Sequence, residues 1–219
     1  MCGRFTLASP GARLAALLGL TRVDPGPPRY NVAPTQPILA VHDRGGEREA
    51  LWLSWGLGGK QINARSETVF EKAPFREAAR RRRCLVPADG FYEWKKLGAS
   101  KQPYHLRLLD GGPFAMAGIE DHGSCAILTT TPNPLVAELH DRMPVILSPE
   151  AYALWLDPSI RDPEPLLGLL VPFPADRMKS VPVGDRVGDP KNEGPELLVE
   201  VEPKVEPPPK PKAQLGFDW

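Results

Sequence analysis

Leu14, Leu17 and Leu18 recur at helical spacing behind Ser9-Pro10 and ahead of Gly19, which predicts a short amphipathic helix with Ser9 as its cap and Pro10 as its first position. Apolar runs at 38–41 and 50–55, split by a polar, glycine-containing stretch at 42–48, predict two strands and a turn. Pro27, Pro28, Pro34 and Pro37 forbid regular helix, so residues 30–36 are expected to form an ordered loop. A helix is predicted to start at Pro74 and to end on Arg80-Arg81-Arg82-Arg83. Cations there suit the negative end of a helix dipole, and DNA contact explains the same run equally well. Residues 84–94 predict a strand, a turn and a second strand, and the apolar stretches 114–119, 125–129 and 144–147 predict core strands. A short helix is expected over 135–140, capped by Asn133 and opened by Pro134. Further helices are expected after Ser148-Pro149 and over 163–170, and a late strand over 178–183.

Many short strands with interspersed short helices, and no regular βαβ alternation, predict an α+β domain with a mixed or antiparallel sheet. Residues 203–212 hold proline, lysine and glutamate with almost no apolar content, which predicts a stiff extended linker. The chain is thus divided into a domain over 1–201 and a tail over 202–219 that ends on Gln214-Leu215-Gly216-Phe217-Asp218-Trp219, an apolar tip on a polar tether. A hydrophobic fraction of 42% with 25% charged residues is that of a soluble globular protein. No apolar run approaches the roughly 20 residues that cross a bilayer, and the start lacks the pattern of a signal peptide. Cytoplasm is the expected location. Three cysteines at unrelated spacings, Cys2, Cys84 and Cys125, argue against a disulfide framework or a metal site, and Cys84 and Cys125 read as packing residues. Net charge is zero, yet between Lys60 and Arg107 twelve Lys or Arg face five Asp or Glu. That local excess suits phosphate binding, although a charge run also serves as a solvated face.

The chemistry gathers at the start, Met1-Cys2-Gly3-Arg4-Phe5. A small second residue usually permits removal of Met1, and Cys2 would then carry a free α-amine two carbons from its thiol. The amine has a reference pKa of about 8, so part of it is uncharged near neutral pH without any burial. An aldehyde can condense with that amine to an imine, and the thiol can close a five-membered thiazolidine ring in an intramolecular step. The alternative is that Met1 stays and Cys2 is a small buried hydrophobe. Glu93 lies between Tyr92 and Trp94 and in a strand would face away from both. It is either solvent-facing or, in a pocket walled by apolar rings, a carboxyl with raised pKa that can give and take protons. His140 precedes Asp141-Arg142-Met143-Pro144 and is either structural or a group that titrates near neutrality. His42, His105 and His122 have no motif around them and read as structural.

With these residues collected, the sequence resembles the SOS-response-associated peptidase (SRAP) family of abasic-site processing proteins. The likeness runs from Met1 to about Val201 and rests on the opening pentapeptide, on 30–36, Trp55-Gly56-Leu57, 63–68 and 75–94, and on 140–147. It implies strands curled into an open barrel and a protein that binds single-stranded DNA. It also implies that Cys2 is linked covalently to the ring-opened aldehyde of an abasic site. By the same likeness Cys2 supplies amine and thiol, Asn63 positions the terminus, Glu93 transfers protons, and His140 assists at the sugar hydroxyl. Arg4, Arg65 and Arg142 are implied phosphate ligands, Asn31, Trp55 and Trp94 parts of the DNA cleft, where aromatics stack on splayed bases, and Arg76 and Thr129 further DNA-binding residues. No cofactor or metal is implied, and a nucleoid-associated monomer is expected. Gln214, Leu215 and Phe217 are similar to the short peptides by which bacterial repair proteins dock on the replication sliding clamp. Two other readings stand beside this one: an N-terminal-nucleophile peptidase, including self-cleavage before Cys2, and a DNA-binding module in which Cys2 is inert.

Overall fold

The computed structural model describes residues 2–205. The first half contains β1 (Phe5–Leu7), α1 (Gly11–Leu18), β2 (Arg29–Val32), β3 (Pro37–Arg44), β4 (Glu47–Trp55), β5 (Asn63–Arg65), α2 (Arg76–Arg81), β6 (Arg83–Ala88) and β7 (Gly90–Leu97). The second contains β8 (Ser100–Leu108), β9 (Phe114–Asp121), β10 (Ser124–Thr130), α3 (Pro134–Ala137), β11 (Met143–Pro144), β12 (Ile146–Leu147), α4 (Tyr152–Leu156), α5 (Glu164–Leu167) and β13 (Met178–Pro182). Among the described residues no helix is long and apolar enough to cross a membrane.

Two sheets share one core. The smaller is antiparallel and runs β13-β8-β7-β1-β2. The larger runs β11-β10-β4-β3-β6-β9-β12, with β5 beside β10. In it β10 also pairs with β9, so β10, β4, β3, β6 and β9 close into a ring of pairings. Its parallel contacts, β10 with β4 and with β5, make it mixed. The α+β class with a mixed sheet and short flanking helices is the predicted one, and the predicted curl takes the form of this ring. Gly118 lets the ring close, because a Cβ there would stand 2.8 Å from Cys84 Sγ on β6. Phe5 of the smaller sheet meets Trp55 of the larger edge to face at 5.2 Å, joining the two sheets at their shared core.

Several local expectations are revised. Pro10, not Ser9, is the α1 cap, because the Ser9 hydroxyl donates to Asp89 Oδ1 at 2.5 Å and is drawn away from the helix. The turn expected over 42–48 shrinks to Gly45-Gly46, whose φ values of 70° and 94° suit a two-residue hairpin. His42 is therefore a strand residue, buried with Nδ1 2.6 Å from Glu120 Oε1. The expected loop at 30–36 begins as β2, paired with β1. β8 has no counterpart among the expected elements, since Pro103 and a polar composition read as non-strand.

The arginine run serves the fold. Arg83 is buried, and its guanidinium donates to the carbonyls of Ala79 and Arg80 at 2.9 Å, of Trp155 at 2.5 Å, and of Asp157. It thus closes the C-terminal end of α2 and ties it to α4. Arg82 pairs with Asp121 at 3.1 Å, and Arg81 with Glu77 at 3.4 Å. Of the two readings left open for this run, the helix-end role is the one seen. Arg83→Leu leaves four carbonyls without their donor and is expected to cost about 3 kcal/mol or more, read as a lowered urea midpoint. Arg83→Lys is expected to recover only part of it, because one ammonium cannot span four acceptors.

Residues after β13 return over the outer face of the smaller sheet, where Val183 and Val187 pack on Tyr92. Lys204 is still tied down, its backbone N–H to Gln102 Oε1 at 3.1 Å and its ammonium to Asp185 at 2.7 Å. The proposed clamp peptide with Gln214, Leu215 and Phe217 lies outside the described residues.

Candidate active site

The site forms where the smaller sheet meets the larger. β1 is sandwiched between β2 and β7, with Phe5 opposite both Val32 and Phe91. This places the start of the chain alongside β7. Strand alternation on β7 turns Tyr92 and Trp94 toward the returning C-terminal segment and Glu93 to the inner side. Glu93 is only 3% exposed, and burial, with a further contribution from the Asp141 charge, raises its pKa to about 7. Of the two environments considered for Glu93, the buried one is seen, and the solvent-facing one is not. Cys2 is fully buried beside it. Burial and then the Glu93 charge push its thiol far above the ordinary range, so the sulfur carries its proton.

The opposite wall comes from β5, β10 and β11. Asn63 lies level with Ile127, Arg65 with Thr129, and Thr129 in turn with Pro144. Asn63 Nδ2 reaches the Ile127 carbonyl at 3.5 Å, while its Oδ1 is buried with no hydrogen-bond partner among the described residues. Such an acceptor is costly unless something donates to it. His140 lies in the loop after α3, with Nδ1 3.0 Å from the Arg142 amide and 2.9 Å from Asp141 Oδ1. Burial lowers its pKa, and Lys96 lowers it further against the opposing effect of Asp141. Among the described residues no group of His, Cys, Asp and Glu is arranged to hold a metal.

Several residues expected to touch DNA are engaged within the scaffold. Trp55 is enclosed, 0% exposed, with its indole N–H on the Ile62 carbonyl at 2.9 Å, so it offers no ring face to a base. Asn31 is equally buried and donates to the carbonyls of Val187, Asp189 and Asn192. Arg4 Nη1 donates to Asn31 Oδ1 at 2.7 Å and to the Val187 carbonyl at 2.8 Å, with its guanidinium 5.9 Å from the centre of the Trp94 ring. Arg142 is 9% exposed and forms a bidentate pair with Glu67 at 2.6 and 2.8 Å. It also donates to the carbonyl of the buried Thr129 at 2.5 Å. Arg65 is exposed on the rim and Trp94 half-buried, so both remain open to a strand. Arg76 is exposed at the start of α2, with no side-chain hydrogen bond or ion pair to the site among the described residues. Sequence reasoning passed over Glu67 and Asp141, whose only signal was their proximity to Arg65 and His140.

A family model described as SOS response associated peptidase (SRAP) matches residues 1–190. The chain is 40% identical over 221 residues to the abasic site processing protein YoqW of Bacillus subtilis strain 168, covering 90% of this chain and 99% of the relative. It is 32% identical over 219 residues to the abasic site processing protein YedK of Escherichia coli strain K12, covering 90% and 99% respectively. Among solved structures, a protein from Bacteroides thetaiotaomicron superposes with a TM-score of 0.77 at 26% identity, covering 92% of this chain and 100% of that one.

Proposed function

The chain belongs to the SRAP family, and on that premise we propose that it processes abasic sites in single-stranded DNA by linking Cys2 covalently to the sugar aldehyde. The observation that carries the reading is the buried Glu93 carboxyl, with a pKa near 7, beside the cysteine that follows Met1. Abasic-site processing itself is what the names of its relatives state of them.

With Met1 attached, the Cys2 nitrogen is an amide and no nucleophile; the reaction begins once Met1 is gone. The abasic sugar offers an aldehyde only after its ring opens. His140 takes the proton of the anomeric hydroxyl, the C1–O4 bond breaks, and Glu93 gives O4 its proton. The Cys2 amine adds to C1, the His140 imidazolium protonates the former carbonyl oxygen to give the carbinolamine, and Glu93, now a carboxylate, takes the proton released by the nitrogen. It returns that proton to the carbinolamine hydroxyl, which leaves as water. The Cys2 thiol then adds to the imine carbon and its proton goes to nitrogen, closing the thiazolidine. A thiol kept protonated by burial favours this order, amine first and sulfur second.

Asn63 Oδ1 accepts a hydrogen bond from the terminal amine and aims its lone pair. Arg65, exposed on the rim, takes a phosphate, with Arg76 further along the surface, and Trp94 stacks on a neighbouring base. Arg4, Asn31, Trp55, Thr129 and Arg142 act by holding these groups in place.

The test is a denaturing gel of the protein, with Met1 removed, mixed with a single strand that carries or lacks one abasic site. A band that resists denaturant with the abasic strand alone is expected. Complexes that all dissociate would leave a DNA-binding module with an inert cysteine.

A further inference from the structure

The tip of the β7–β8 hairpin carries a pairing that sheet energetics disfavour. In the antiparallel register Lys96 stands directly opposite Lys101, and the pair before it on the same face is Trp94 with Pro103. Residues so placed have Cβ atoms about 5 Å apart, and like charges there are destabilising. Both lysines are exposed, and among the described residues neither ammonium takes part in an ion pair or a hydrogen bond. Asp185 does not relieve them, because it is held by Lys204, whose ammonium lies 2.7 Å away and also donates to the Lys101 carbonyl at 3.0 Å. The hairpin therefore presents two adjacent cations and no anion between them.

This pair is continuous with the reacting site. Strand alternation puts Lys96 about 7 Å beyond Trp94 on one face of β7, and the Lys96 charge is felt at His140, whose imidazolium it disfavours. Two other cations of the site are already engaged, Arg4 by Asn31 and the Val187 carbonyl, and Arg142 by Glu67 and the Thr129 carbonyl. Arg65 is open, but it stands on β5, across the pocket from β7.

We propose that Lys96 and Lys101 form a subsite for one backbone phosphate of the bound strand, the phosphate next to the base that stacks on Trp94. This rests on the reading of the protein as one that binds single-stranded DNA. A phosphate between the two ammonium groups replaces one repulsion by two attractions, which a neutral ligand cannot do. The contact is made to the backbone, so it positions the strand without reading its sequence. With Arg65 on the facing wall, the strand is gripped on both sides of the pocket and the reacting sugar is held between.

The experiment measures equilibrium binding to a single strand that carries a tetrahydrofuran abasic analogue, which has no aldehyde, so that only non-covalent binding is read. Wild type is compared with the double variant Lys96→Gln, Lys101→Gln. The plot of log K against log salt is expected to be shallower for the variant by about 0.7, the share of one phosphate on a single strand, with affinity about fivefold weaker at about 0.1 M salt and the difference vanishing at about 1 M. The double variant Lys96→Arg, Lys101→Arg is expected to keep the wild-type slope. One uncharged methylphosphonate, moved along the linkages on either side of the analogue, is expected to weaken wild type at one linkage where it leaves the glutamine variant unchanged. Parallel salt plots, or the same losses at every linkage, would overturn the subsite, and a slope change of about 1.4 would assign the lysines to separate phosphates and overturn their shared one. A wild-type protein that binds no single strand would instead overturn the DNA reading beneath it. Because the substitutions remove a repulsion, the glutamine variant is expected to melt no lower than wild type, so a lost contact is not mistaken for unfolding.

Discussion

Replacing Cys2 by alanine is expected to abolish the denaturant-resistant crosslink while leaving binding to the abasic strand in place. The variant still carries an α-amine once Met1 is removed, so the imine forms. Without sulfur it has no internal nucleophile and hydrolyses back. The thiol's advantage is its proximity, for which effective concentrations of order 10⁵ M or more are general. A borohydride reagent, which reduces imines, is therefore expected to restore a stable band for Cys2→Ala and to be unnecessary for wild type. A stable band from Cys2→Ala without reductant would show that the sulfur is not the closing nucleophile. Loss of the band even with reductant would remove the amine from the mechanism.

Glu93→Gln is the second large effect. It keeps the shape of the side chain and removes its proton chemistry, so a crosslinking rate lowered by roughly 10²–10⁴-fold is expected. In the wild type the rate should decline above about pH 7, where Glu93 loses its proton, and this decline should vanish in the variant. The same group bears on stability with a definite sign. A carboxyl whose folded pKa lies above its ordinary value binds more protons in the folded than in the unfolded state, so stability falls as pH rises from about 4.5 to about 7. Glu93→Gln escapes that loss and is expected to melt above wild type at pH 8, although it reacts far more slowly. A thermal melt at pH 5 and pH 8 checks this. A wild type no less stable at pH 8 than at pH 5, relative to the variant, would mean that Glu93 is not held in the buried, proton-retaining state.

Cys2 and Glu93 were expected to share a site, and the structure places them side by side in the buried interior. The strands 114–119 and 125–129 were legible because their apolar content is continuous. β8 was hidden because its partners, β7 and β13, stabilise a strand that Pro103 and its polar neighbours disfavour locally. For the residues implied to face DNA, the sequence hid their partners within the fold. Trp55, Asn31 and Arg142 are of types that contact nucleic acid, and their partners Ile62, Val187 and Glu67 are distant or ordinary in sequence, so only the fold shows that they are already engaged. Arg83 was ambiguous for the same reason: a guanidinium that binds four carbonyls looks in sequence like one that binds phosphate.

Placing Glu93 beside Cys2 has meaning only if the aminothiol is unblocked. The most direct measurement is the intact mass of the purified crosslink, followed by fragmentation at its amino terminus. The account predicts a protein lacking Met1, joined to the abasic strand with the loss of one water, with the added mass confined to Cys2. A mature protein that retains Met1, or an adduct mapped to any lysine, would contradict it.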